Sequence, residues 1–73
     1  MHIINVYFDE KMSTREIVKL KREIAKMPYI VDVEHAHHDA HNLTIEYKTH
    51  PDMPTLLLEE LRSRGLHPDV TSA

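Results

Sequence analysis

Between Ile30 and Lys48 the chain reads I-V-D-V-E-H-A-H-H-D-A-H-N-L-T-I-E-Y-K. Apolar and polar residues alternate at both ends of this stretch, which is the period of a half-buried strand. From Ile30 to His37, residues Val31, Val33, His35 and His37 share one face, and Asp32, Glu34, Ala36 and His38 share the other. Further on, Leu43, Ile45 and Tyr47 alternate with Thr44, Glu46 and Lys48. Asp39, His41 and Asn42 between the two runs suit a turn. The stretch predicts a β-hairpin. Four of the seven histidines of the chain lie at its tip.

The flanks supply the other elements. S-T-R-E from Ser13 is a capping box, with Ser13 as N-cap and Glu16 at N3. Ile17, Leu20, Ile24 and Met27 follow at helical spacing with Lys and Arg between them. Pro28 stops that helix. Ahead of it, His2 to Phe8 alternates: Ile4, Val6 and Phe8 on one face, Ile3, Asn5 and Tyr7 on the other. Beyond the hairpin, Asp52 is the N-cap of a second helix with Pro54 in its first turn. Leu57, Leu58 and Leu61 form its apolar face, Arg62 and Arg64 favour its C-terminal end, and Gly65 stops it. Leu66 to Val70 is a short edge strand, because Pro68 cannot donate to a ladder. The order is βαββαβ. It predicts an α+β, ferredoxin-like sandwich: a four-stranded antiparallel sheet in the order 4-1-3-2, with two helices on one face. Residues 1–73 are expected to form one domain.

Composition narrows the function. Hydrophobic residues are 41% and charged residues 29%, which suits a folded domain, and the net charge of −3 argues against a nucleic-acid binder. There is no cysteine. Disulfides, thiolate metal sites, thiol nucleophiles and iron–sulfur ligation are therefore excluded. No apolar run approaches the roughly 20 residues of a membrane span. The N-terminus lacks the pattern of a secretory signal. A cytoplasmic protein without membrane insertion is expected. No enzyme is expected either: Gly65 is the only glycine, so no phosphate-cradling loop exists, and Ser13 is used as a cap.

Several phrases carry a resemblance. I-A-K-M-P-Y-I-V-D-V-E-H looks like the end of helix one, the L-P-G-V turn and strand two of the heavy-metal-associated (HMA) domain family. L-T-I-E-Y-K-T looks like its third strand, and L-L-L-E-E-L-R-S-R-G-L like its second helix and glycine stop. The chain thus resembles, over nearly its whole length, the domains of copper and zinc chaperones and of metal-ATPase N-termini. The resemblance implies the ferredoxin-like fold and a metal-handling role. The metal motif of the family, G-M-x-C-x-x-C between strand one and helix one, is absent. Here that stretch is K-M-S-T-R-E-I, Lys11 to Ile17, and only Met12 matches. The chain thus resembles a variant of that family without the two cysteines.

The histidines offer a different donor set. Neutral imidazole suits zinc, nickel, copper(II) and cobalt. His35 and His37 share a strand face, and His41 can close on them across the turn. His38 points away unless the turn twists it, and Asp39 offers an oxygen. In a βαββαβ sheet this tip lies at the same end as Asp9, Glu10, Met12 and His67, which is also where the resembled family holds its metal. The candidate ligands are His35, His37, His38, His41 and His67. His2 and His50 fall at the opposite end and belong to no shared site. Met12 reads as packing rather than as a thioether ligand. His35 has a second reading, as a part-buried core histidine.

Two functions from different classes follow. One is a small metal-binding and metal-delivery protein for a divalent transition metal, serving a metal transporter or a metal-dependent protein. The other is a metal-independent interaction or regulatory module. Ile3 and Tyr7, beside Glu34, Thr44, Glu46 and Lys48 on the uncovered sheet face, suggest docking of a partner or a weak homodimer. Clustered imidazoles also suit a pH-sensing regulatory domain.

Overall fold

Strand β1 (His2–Phe8) lies inside the sheet and pairs on both sides, antiparallel to β3 (Asn42–Tyr47) and to β4 (Pro68–Ser72). Strand β2 (Ile30–Glu34) pairs with the other side of β3, giving the order β2-β3-β1-β4. That is the expected sheet. Helices α1 (Thr14–Ile24) and α2 (Met53–Ser63) complete the βαββαβ order. The computed structural model describes residues 1–35 and 41–72.

The core follows from the alternation. Ile4, Val6 and Phe8 of β1, with Leu43, Ile45 and Tyr47 of β3, turn to one face. They meet Ile17, Leu20 and Ile24 of α1 and Met53, Leu57 and Leu61 of α2. Nearly all of this core is aliphatic. Met12 and Met27 are partly buried and pack against it, as expected for Met12.

Both helix starts and stops have local causes. At α1 the capping box is complete: the Glu16 N–H donates to Ser13 Oγ (3.2 Å), and the Ser13 N–H donates to Glu16 Oε1 (3.0 Å). The bond from the Ser13 backbone is the main cause that holds the Glu16 carboxyl below its ordinary pKa, followed by the Ser13 side chain. The α1 helix ends ahead of Pro28. Its last turn tightens through Lys26 N–H to Glu23 O and Met27 N–H to Ile24 O. Asp52 caps α2 by position, yet its side chain makes no capping bond. Past α2, the Leu66 N–H donates to Leu61 O and the Gly65 N–H to Arg62 O, with Gly65 at φ 84°. This pair of bonds is a Schellman closure, which demands a left-handed residue at Gly65.

Two features depart from the alternation. Strand β2 was expected to run from Ile30 to His37 with Val31 beside Val33 on the covered face. The register instead slips between Ile30 and Asp32: Ile30 faces Tyr47, Asp32 faces Glu46, and Val31 is extra. This bulge turns Val31 out, 43% exposed, while Ile30 packs on the core in its place. The strand stops at Glu34, and Ala36 and His37 lie outside the described residues. The second departure is Tyr29, whose φ of 71° places a bulky residue in the left-handed region. It stands where the resembled family has the glycine of L-P-G-V. Its carbonyl accepts from the Lys48 N–H (2.8 Å), and its ring lies 4.7 Å from that of His50.

These features predict opposite responses to substitution. Leu57→Ala, emptying a fully buried site, is expected to cost about 2–5 kcal/mol in denaturant unfolding. Tyr29→Gly relieves backbone strain while losing a half-exposed ring, so its change is expected to stay within about 1 kcal/mol. A loss at Tyr29 as large as that at Leu57 would contradict the strain.

Candidate metal centre

The end of the sheet beyond Phe8 gathers the histidines that the structure describes on that side. The Phe8 N–H donates to the His41 carbonyl (2.9 Å), which holds the start of β3 against the end of β1. The His41 ring turns back on the same residue: its Nδ1 lies 3.1 Å from the Phe8 carbonyl oxygen. A carbonyl only accepts, so Nδ1 carries the proton and the lone pair of the neutral ring sits on Nε2. The ring also stacks on Tyr7, with centroids 5.7 Å apart.

Two residues past Phe8, Glu10 reaches the loop after α2. One carboxylate oxygen accepts from the His67 N–H (3.0 Å). The other pairs with His67 Nδ1. The Schellman closure delivers His67 there, since it fixes the path of the chain immediately before it. The side-chain bond from Glu10 is the main cause that raises the His67 pKa, followed by the Glu10 charge and then that of Asp9. The same bond is the main cause that lowers the pKa of Glu10.

The arrangement of these two imidazoles is alike. Each ties Nδ1 to an oxygen acceptor. A metal-ligating histidine is oriented in the same way, with a carbonyl or carboxylate fixing the far nitrogen. The sequence suggested this rim but not its acceptors. The Phe8 carbonyl has no side-chain signature, and the Glu10–His67 contact joins residues far apart in the chain.

His35 lies one residue past β2 and is half-buried, with Nδ1 buried. By alternation it falls on the same parity as Val33, whose partner is Ile45. His37 and His38, with Asp39, lie outside the described residues. Among the described residues, no three His, Asp or Glu side chains group closely enough to hold a metal ion. His41 and His67 are therefore two oriented donors on one rim rather than a complete ligand set.

His2 and His50 do lie at the opposite end, but together. They line one surface depression with Tyr47, Thr49, Pro51 and Pro54. β1 begins where β3 ends, which brings His2 beside the segment that follows β3. His2 stacks on Tyr47, and its Nε2 lies 3.2 Å from Thr49 Oγ1. His50 Nδ1 accepts from the Asp52 N–H, which occupies the lone pair that a metal would need.

No protein-family profile matches the chain. No curated protein sequence matches it either. A solved structure described as "Crosstalk between Cu(I) and Zn(II) homeostasis" superposes with a TM-score of 0.75 at 21% sequence identity, covering 96% of this chain and 99% of that one. At that identity the likeness establishes the fold. Among the described residues, no helix is long and apolar enough to cross a membrane.

The Glu10–His67 pair has a defined pH window. The raised His67 pKa means that its stabilisation is full below the ordinary imidazole value of 6.5 and is lost as pH rises through the raised value. The lowered Glu10 pKa means that its share is full above the ordinary value of 4.5 and is lost as pH falls through the lowered one. In an NMR titration His67 is expected to titrate above 6.5. In Glu10→Gln, which keeps a side-chain acceptor for the His67 backbone N–H but loses the charge, the midpoint should drop. An unmoved midpoint would remove Glu10 as the cause.

Proposed function

We propose that this protein binds a divalent transition metal at its histidine rim and passes it on, without bond chemistry of its own. The observation that carries the reading is the matched orientation of His41 and His67. Both Nδ1 atoms are tied back to oxygen, at one end of the sheet. Zinc, nickel, copper(II) and cobalt are the ions that imidazole and carboxylate donors suit. The fold shared with a protein from a study of Cu(I) and Zn(II) homeostasis supports a metal-handling role. So does the resemblance to HMA domains.

On this reading His41 is the anchor, supported through Phe8. His37 and His38 are the further ligands that the sequence supplies. His67 joins once a metal displaces its proton, with Glu10 then acting as the carboxylate behind a bound imidazole. Half-buried His35 supports the hairpin from beneath. An exposed rim lets a transporter or metal-dependent acceptor displace ligands one at a time, which delivery requires. A cytoplasmic location fits a chain without cysteine. A second reading, a metal-independent docking module, is favoured by the exposure of Ile3 and Tyr7 on the uncovered sheet face.

Calorimetric titration of the full chain with zinc, nickel, copper(II) and cobalt tests the proposal. One stoichiometric site is expected at about pH 7.5 for one of these ions. At about pH 5.5 its affinity should fall about tenfold for each ligating imidazole, since only about a tenth of each ordinary imidazole is then unprotonated. His37→Ala with His41→Ala should abolish the site, with circular dichroism confirming the fold. Weak heats from several sites, unchanged in that variant, would leave the docking reading.

A further inference from the structure

Two surfaces of opposite charge lie on opposite sides of this molecule. On α1, Arg15, Lys19 and Arg22 follow at steps of four and three residues, Lys26 stands four further on just past the helix end at Ile24, and all are exposed. At 3.6 residues per turn these steps make one straight stripe. It faces away from the buried Ile17, Leu20 and Ile24. Val18, 40% exposed, lies beside it.

The uncovered face of the sheet is acidic. Asp32 and Glu34 of β2, Glu46 of β3 and Asp69 of β4 alternate with the buried Val33, Ile45 and Pro68, so they point away from the helices. Asp32 and Glu46 are direct cross-strand partners. Like charges in that position destabilise a sheet. Among them, Ile3 faces Glu46 and Tyr7 faces Asp69 across the neighbouring ladders, and both apolar residues are exposed. Lys48 follows β3 at one end of this face.

Among the described residues, none of these four cations and four carboxylates enters an ion pair; the pairs formed join Arg64 to Glu23 and Glu60, and His67 to Glu10. The two surfaces cannot satisfy each other within one molecule. The sheet, the core and a helix separate them, and the shorter dimensions of the molecule are 20 and 19 Å. That exceeds the screening length of about 8 Å at physiological salt. A second copy brings them together. It also sets Val18 against Ile3 and Tyr7, so apolar surface meets apolar surface between the charges.

We propose that the acidic sheet face of one copy seats the basic α1 stripe of the next. The contact is head-to-tail: each copy uses two different surfaces, so it builds open chains or rings rather than a closed symmetric pair. It does not depend on the metal reading. Exposed charge pairs are individually weak, so the association belongs to low salt and high protein concentration.

Sedimentation velocity of the full chain across a concentration series tests this, in about 20 mM and about 500 mM salt. Association that rises with concentration is expected at low salt, weakening at least about tenfold at high salt. Two charge-reversed variants sharpen the test: Lys19→Glu with Arg22→Glu, and Asp32→Lys with Glu46→Lys. Each alone should stay monomeric. Mixed, they should associate again, the acidic stripe of the first on the basic face of the second. Circular dichroism checks both folds, and the salt series of the unmodified chain stands even if a variant unfolds. A monomer at every concentration overturns the proposal and leaves the two faces to other partners. So does association indifferent to salt, or a mixture of folded variants that stays monomeric.

Discussion

The register between β1 and β3 is the constraint on which the rest depends. Ile4 opposite Ile45 and Val6 opposite Leu43 put two pairs of branched side chains on one face, and both helices close over them. A slip of one residue would turn every one of these side chains to solvent. The same register sets Tyr7 opposite Asn42 and brings Phe8 to His41. The histidine rim is therefore a consequence of core packing: the hydrophobic pattern that fixes the sheet also fixes which imidazole meets which carbonyl.

Much of this was legible in the residues. The capping box at Ser13, the alternation of β1 and β3, the stop at Gly65 and the edge position of Pro68 all act locally, so a linear reading finds them. The bulge at Val31 was not legible, because V-D-V alternates as an uninterrupted strand does. Only the pairing with Tyr47 and Glu46 shows that Ile30, rather than Val31, fills the core. Tyr29 was opaque for a related reason. The residue type itself does not announce a left-handed tyrosine; only its match to the glycine of L-P-G-V points there, and the turn into β2 imposes it.

The site was legible at the level of which end, and less so at the level of which atoms. Topology alone placed Glu10, His41 and His67 on one rim. The tautomer of His41 depends on a backbone oxygen of another strand, and the proton on His67 depends on a carboxylate from another loop. Spacing along a chain carries neither. His35 shows the limit from the other side: its place in a row of histidines suggests a ligand, while its alternation with Val33 draws it toward the core. A single residue answers to both patterns, and the buried face decides its environment.

The two outer strands have a consequence for the life of the protein in a crowded solution. An unprotected strand edge is a template for fibril growth, because its backbone groups accept any extended chain. Here one outer strand begins at Pro68, which has no N–H to offer, and the other is broken by the bulge at Val31 and flanked by Asp32 and Glu34. Neither edge offers an uninterrupted, neutral row to an incoming strand. The bulge at Val31, which spoils the regularity of the sheet, also denies an incoming chain a continuous template along that strand.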